Sequence, residues 1–339
     1  MRRSLAALGL AVLACDRGGP PIPTTISPEW QEVLRGQHGA RAPAHPAPDD
    51  RAAWAALQAR REEQPDADRE AALARYAPSV RDRRIGPLHA LLVTPRGVRD
   101  DGRLVVHLHG GGYTVGSART SLAGIAAFAD ATGLPVLSLD YPLAPAAQWR
   151  EVVGAVADAL AAIDAEGPPL ARVALFGESA GGGLAAGVTL ALRDRGRALP
   201  GALVLWSPWS DVTENGDTYA TLRDVDPVYR YDAHLAPMAA AYAAPEDQKQ
   251  PYVSPVYGDY AKGFPPTLVQ GGTHELFLSN FVRQYQAIEA GGGEARLDLY
   301  EGMPHLFQRL LPDSAEARLA LAKVRVFIDA HVPPAPPDR

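Results

Sequence analysis

The sequence predicts an α/β fold in which a mostly parallel sheet is covered by helices on both faces, and three observations carry that reading. From Leu104 onward, short apolar runs of strand length alternate with segments of helical spacing, the pattern of repeated β-α-β units. One such run, Val173–Phe176, drives into Gly177-Glu178-Ser179-Ala180-Gly181, and the Ala-rich stretch from Leu184 continues as a helix, so Ser179 sits on a sharp strand-to-helix turn. Each further motif with chemical potential also follows a predicted strand, which is where open α/β sheets bind their ligands.

Taken in order, the chain opens with Arg2-Arg3 and an apolar stretch from Leu5 to Ala14 ending at Cys15. Residues 1–15 have the charged start and short apolar run of a signal peptide, too short for a transmembrane helix of roughly 20 residues. The stretch also resembles a bacterial lipoprotein signal in which Cys15 becomes lipid-modified, although Leu13 is not the favoured residue at its position. The expectation is an exported protein of the periplasm or cell surface, anchored by lipid at Cys15; plain secretion and an unprocessed cytoplasmic N-terminus are the alternatives. Residues 16–28 are Pro- and Gly-rich and read as a tether. Residues 29–80 form a helical N-terminal segment, with helices over Glu29–Arg35 and Asp49–Arg75, expected to contribute to a cap.

The catalytic domain is expected over residues 81–335, as one main domain with a smaller accessory part. Strands are predicted at Leu88–Thr94, Leu104–His109, Pro135–Leu139, Val173–Phe176, Leu203–Trp206, Thr267–Gln270 and Ala295–Tyr300. Helices are predicted at Ala118–Ala131, Trp149–Ile163, Gly182–Arg193, Phe281–Ala290 and Ser314–His331. The connection from Asp211 to about Phe264 is longer than one crossover needs and contains a helical stretch from His234 to Ala243, so residues 212–262 read as a cap insertion. A net charge of -6 and the absence of a long Lys/Arg cluster argue against nucleic acid as a partner. Cys15 is the one cysteine, which excludes an intramolecular disulfide and a cysteine-based metal site; a homodimer is compatible with the sequence.

The chemistry gathers in four places. His109-Gly110-Gly111-Gly112-Tyr113 follows a strand, and successive glycines let backbone N–H groups approach a developing oxyanion. Gly110 and Gly111 are expected to join Ala180 in that role, with His109 structural. His305 lies in a loop after the last strand, where the serine, acid, histidine order puts the general base; His234 and His331 are placed elsewhere. Glu275 is the carboxylate that follows the preceding strand and would orient His305, with Glu301 as the alternative acid. Glu178 is a candidate for the surroundings of the site, and Tyr113, Trp209 and Phe277 are candidates for the substrate pocket, each equally compatible with a place in the core.

These motifs together resemble the hormone-sensitive-lipase-like branch of α/β-hydrolase carboxylesterases (alpha/beta hydrolase fold-3). The likeness extends to Asp140-Tyr141-Pro142-Leu143-Ala144-Pro145 and Ser207-Pro208-Trp209-Ser210-Asp211, and covers residues from about 85 to 330. It implies the α/β-hydrolase fold with an eight-stranded, mostly parallel sheet, a helical cap, and hydrolysis of small carboxylic esters without a cofactor or metal. Three positions depart from the pattern: Glu178 and Glu275 stand where Asp is usual, and Pro142 where many members have Arg. A lactone hydrolase, an acetyl-ester or amide deacetylase, and a non-catalytic small-molecule-binding protein are the alternatives on the same fold.

Overall fold

The structure is a computed structural model that describes residues 21–37 and 44–336. Cys15, the signal segment and the first part of the tether lie outside the described residues. Three helices precede the sheet: α1 (Pro28–Gln37), α2 (Arg51–Glu63) and α3 (Ala67–Tyr76). The single helical stretch expected from Asp49 to Arg75 is broken at Gln64-Pro65, because proline disfavours helical geometry in the residue before it; Gln64 is extended, with ψ 128. Asp50 and Asp66 cap the two pieces by accepting the N–H groups of Ala53 and Arg69. The three helices bury their apolar residues in different places. Trp30 and Leu34 of α1 join Tyr300, Met303 and Phe307. Trp54 of α2 joins the cluster holding Tyr113, and Ala72 and Tyr76 of α3 join the cluster on the opposite sheet face.

The sheet contains β1 (Ser79–Ile85), β2 (Leu88–Thr94), β3 (Leu104–Leu108), β4 (Val136–Leu139), β5 (Val173–Glu178), β6 (Ala202–Trp206), β7 (Thr267–Gly272) and β8 (Ala295–Tyr300). Their order is β1-β2-β4-β3-β5-β6-β7-β8. β2 runs antiparallel to both β1 and β4, and all other neighbours are parallel. Sequence reading misses β1, whose Ser-Val-Arg-Asp-Arg-Arg-Ile is exposed at six of seven positions. An edge strand needs no continuous apolar run, and its charges protect it from pairing with another chain. The sheet therefore begins at Ser79, across the boundary expected at 80/81.

α4 (Leu122–Thr132) packs with the closing helix on one face, around Phe128, Phe176, Trp206 and Phe327. α5 (Trp149–Glu166) and α6 (Ala180–Asp194) cover the other. The long connection after β6 holds α7 (Thr218–Thr221) and α8 (Ala236–Tyr242), the latter entered through a π-turn at Tyr231–Leu235. α9 (Leu278–Ala290) joins β7 to β8, and α10 (Phe307–Leu310) and α11 (Ala315–His331) end the fold. Among the described residues, no helix is long and apolar enough to cross a membrane.

Candidate active site

Ser179 stands between the end of β5 and the start of α6 at φ 55, ψ -122. A positive φ at a non-glycine residue costs of order 1–3 kcal/mol, so the surroundings must impose it. They do so through the backbone. Ser179 N–H donates to Trp206 O at 2.8 Å, while Ser179 O accepts N–H groups from Gly182, Gly183 and Trp209 at 3.0, 3.2 and 2.9 Å. A Cβ on Gly181 would run into the carbonyl oxygens of Leu108 and His109, which is why the elbow needs glycine there. Ser179 lines a cavity of about 520 Å³ and is only 3% exposed.

β5, β6, β7 and β8 are consecutive neighbours, so the loops leaving their carboxyl ends meet at one edge. His305, after β8, brings Nδ1 to 2.7 Å from Glu275 Oε2, after β7. Glu275 Oε1 accepts Gly272 N–H at 2.6 Å and the Ser207 hydroxyl at 2.9 Å. Leu306 N–H in turn donates to Ser207 Oγ at 3.2 Å, so one side chain after β6 ties the acid to the histidine loop. That link was not anticipated from Ser207-Pro208-Trp209. Glu275 is fully buried, and the extra methylene relative to Asp is accommodated by these three partners. His305 Nε2 has no hydrogen-bond partner among the described residues. Glu301, the alternative acid, is engaged by the Thr25 hydroxyl at 2.7 Å on the exposed side.

The oxyanion loop differs from expectation at one donor. Gly110 N–H donates to Glu178 Oε1 at 3.4 Å, so of the expected pair only Gly111 presents an N–H without an acceptor among the described residues; the Gly112 N–H is likewise without one. The reason lies in Glu178, which is 1% exposed and also accepts the Ser121 hydroxyl at 3.1 Å and Arg309 Nη1 at 3.2 Å. Burial alone would raise the Glu178 carboxyl, but Arg309 and these hydrogen bonds outweigh it and hold the group below the usual carboxylate value. Gly111, at φ 111, leaves no room for a Cβ beside the Val115 carbonyl. His109 stacks on Tyr141 at 4.1 Å and 9°, with Nδ1 2.7 Å from Gly110 O, and burial lowers its pKa, which fits a neutral structural ring.

The α/β-hydrolase-fold family matches residues 105–309. A crystal structure of an esterase from the bacterial hormone-sensitive lipase family is 31% identical, with TM-score 0.76, covering 91% of this chain and 99% of that one. The chain belongs to the hormone-sensitive lipase family of α/β hydrolases. It is also similar to the acetyl-hydrolase of Streptomyces hygroscopicus, at 36% identity over 69% of this chain and 77% of that protein. A crystal structure of a further esterase superposes with TM-score 0.85 at 28% identity, covering 94% of this chain and 98% of the other.

In this hormone-sensitive lipase family member the aromatic candidates divide between core and site. Tyr113 and Trp209 are fully buried; Tyr113 stacks on Tyr242 at 3.7 Å, and Trp209 stacks on Phe277 at 5.8 Å, so both belong to the core. Phe277 meets His305 edge-on at 5.3 Å. The cavity is instead lined by Val228, Tyr229, His234 and Met238 from the long connection and by His45 and Arg61 from the N-terminal segment. Arg309 lines it as well while holding Glu178, from a position 131 residues away in sequence. No local pattern marks these residues, because their common surface exists only after two distant segments fold over the sheet edge.

Proposed function

We propose that the chain is a serine carboxylesterase acting on small or short-acyl esters through an acyl-enzyme. The observation that carries this reading is the pair of His305 and Glu275, oriented through Nδ1 with Nε2 unpartnered among the described residues, at the same sheet edge as the strained Ser179. His305 Nε2 takes the Ser179 proton as Oγ attacks the ester carbonyl, and Glu275 stabilises the imidazolium. N–H groups of Gly111 and Ala180 hold the oxyanion, with Gly112 replacing Gly110 as the third donor. Collapse breaks the ester bond, and the leaving alkoxide takes the proton from His305. Water then gives a proton to His305 as its oxygen attacks the acyl carbonyl. The carboxylic acid leaves and Ser179 regains its proton.

Likeness to an acetyl-hydrolase favours short acyl groups. Hydrolysis of p-nitrophenyl esters from acetate to palmitate, with Ser179→Ala beside it, tests the reading. Turnover is expected to be highest at acetate or butyrate and to vanish in the variant; a folded wild type that neither hydrolyses these esters nor is labelled at Ser179 by a fluorophosphonate contradicts it. Export and lipidation at Cys15 form the second part of the proposal, supported by residues 1–15 alone. The mass of the mature N-terminus, compared between wild type and Cys15→Ala, checks it.

A further inference from the structure

Asp226 lies in the long connection, remote in sequence from every motif above, yet its carboxylate collects three backbone N–H groups. Oδ1 accepts those of Val228 at 2.7 Å and Tyr229 at 3.0 Å, and Oδ2 accepts that of Leu276 at 2.8 Å. Leu276 is the residue between Glu275 and Phe277. A single carboxylate therefore ties the turn that carries Tyr229 to the loop that carries the acid. A second tie runs alongside, from the Thr218 hydroxyl to Leu276 O at 2.7 Å.

The turn places the Tyr229 ring edge-on to the His305 imidazole, with centroids 5.1 Å apart at 75°. Phe277 meets the same imidazole at 5.3 Å and 77°, and the Tyr229 and Phe277 rings lie 5.8 Å apart. His305 is thus held by one directional bond, to Glu275, and by two aromatic walls. One wall, Phe277, stands two residues after Glu275 in the chain; the other, Tyr229, sits on the turn that Asp226 bonds to Leu276. Hydrogen bonds to a carboxylate are stronger than those between neutral groups, and three of them on one side chain favour a single conformation of the four-residue turn.

We propose that Asp226 is a positioning residue for hydrolysis, acting through Tyr229 to hold the His305 imidazole in line with Ser179 and to close the cavity wall at Val228-Tyr229. The proposal deepens the esterase reading and rests on it for its kinetic consequence. Neutralising the acceptor leaves the reacting groups in place but loosens their alignment, and a misplacement of about 1 Å costs on the order of 10²-fold in rate.

The test uses the full chain with Asp226→Asn, Tyr229→Ala and the double variant. Asp226→Asn is expected to lower kcat by about 10- to 100-fold with a smaller change in KM, and Tyr229→Ala to do the same. In the double variant the two losses are expected not to add, because Asp226 acts through the tyrosine. The His305 Cε1–H proton resonance provides a readout that needs no ester. The imidazole packs against the rings of Tyr229 and Phe277, and each single variant is expected to shift this resonance in the folded protein. Should Asp226→Asn fail to fold, Tyr229→Ala, which leaves all three hydrogen bonds in place, carries the same kinetic and spectroscopic expectations. Retention of kcat within about twofold, strictly additive losses, or an unmoved His305 resonance overturns the proposal. Absence of ester turnover in the wild type instead overturns the esterase reading, with the resonance shift still deciding the role of Asp226.

Discussion

Glu178, at the end of β5, and Glu275, in the loop after β7, are both buried glutamates near Ser179, each with three hydrogen-bond partners, but the partners differ in kind. Glu178 faces Arg309, a permanent cation, together with Ser121 and the Gly110 N–H. The imidazole near it, His107, has a pKa lowered to about 4 by burial and stays neutral at pH 7, with Nδ1 2.8 Å from Ser138 Oγ. Glu275 faces His305, whose other nitrogen has no partner among the described residues. The first network sets a carboxylate against a fixed charge beside the His109–Tyr113 loop; the second sets one against an imidazole. Chemical similarity and equal burial do not make two carboxylates equivalent, and the titratable partner separates them.

The largest effects fall on the second network. Ser179→Ala and His305→Ala are each expected to lower kcat for p-nitrophenyl acetate by about 10⁴-fold or more, and Glu275→Ala by about 10³-fold, in steady-state assays. If Glu301→Ala were the more damaging carboxylate substitution, the acid would be misassigned. On the first network, Arg309→Ala leaves Glu178 buried without its cation. About 3–5 kcal/mol of stability should be lost, read by urea unfolding, while some turnover persists.

Acid separates the networks further. Glu178 titrates below its unfolded value, so its contribution to stability is present above that value and is lost as pH falls through the folded pKa. His107 is also depressed, so the unfolded chain binds its proton first, and stability falls as pH drops from 6.5 towards about 4. That window amounts to about 3 kcal/mol, and His107→Gln should flatten the decline in unfolding free energy measured between those pH values. The smallest change expected is in Ser207→Ala, which removes the hydroxyl joining Glu275 to Leu306. About 1–2 kcal/mol of stability and roughly tenfold in kcat are the expected losses, with KM little altered.

Legibility tracked locality. The elbow at Ser179 and the loop glycines are each carried by residues close together in sequence, where strand, turn and helix preferences act, and Glu275 and His305 are each marked by the local strand that precedes them. β1 carries no such local signal, because an exposed edge strand needs no apolar run. The break at Pro65 was written in the sequence but outweighed by the Ala-, Glu- and Arg-rich stretch around it.

The sequence by itself determined the α/β class, the predicted strands β2 to β8 and the three residues whose chemistry suits acyl transfer, because hydrophobic periodicity and turn stereochemistry are local properties. Only the tertiary structure decided which glycine N–H groups remain without an acceptor, that Arg309 and not a neighbour neutralises Glu178, that Tyr113 and Trp209 belong to the core, and that Tyr229 faces His305. Those outcomes depend on contacts between segments 50 to 131 residues apart, such as Asp226 with Leu276 and Glu178 with Arg309. A buried polar group must find a partner wherever the fold supplies one, and sequence spacing carries no record of where that will be.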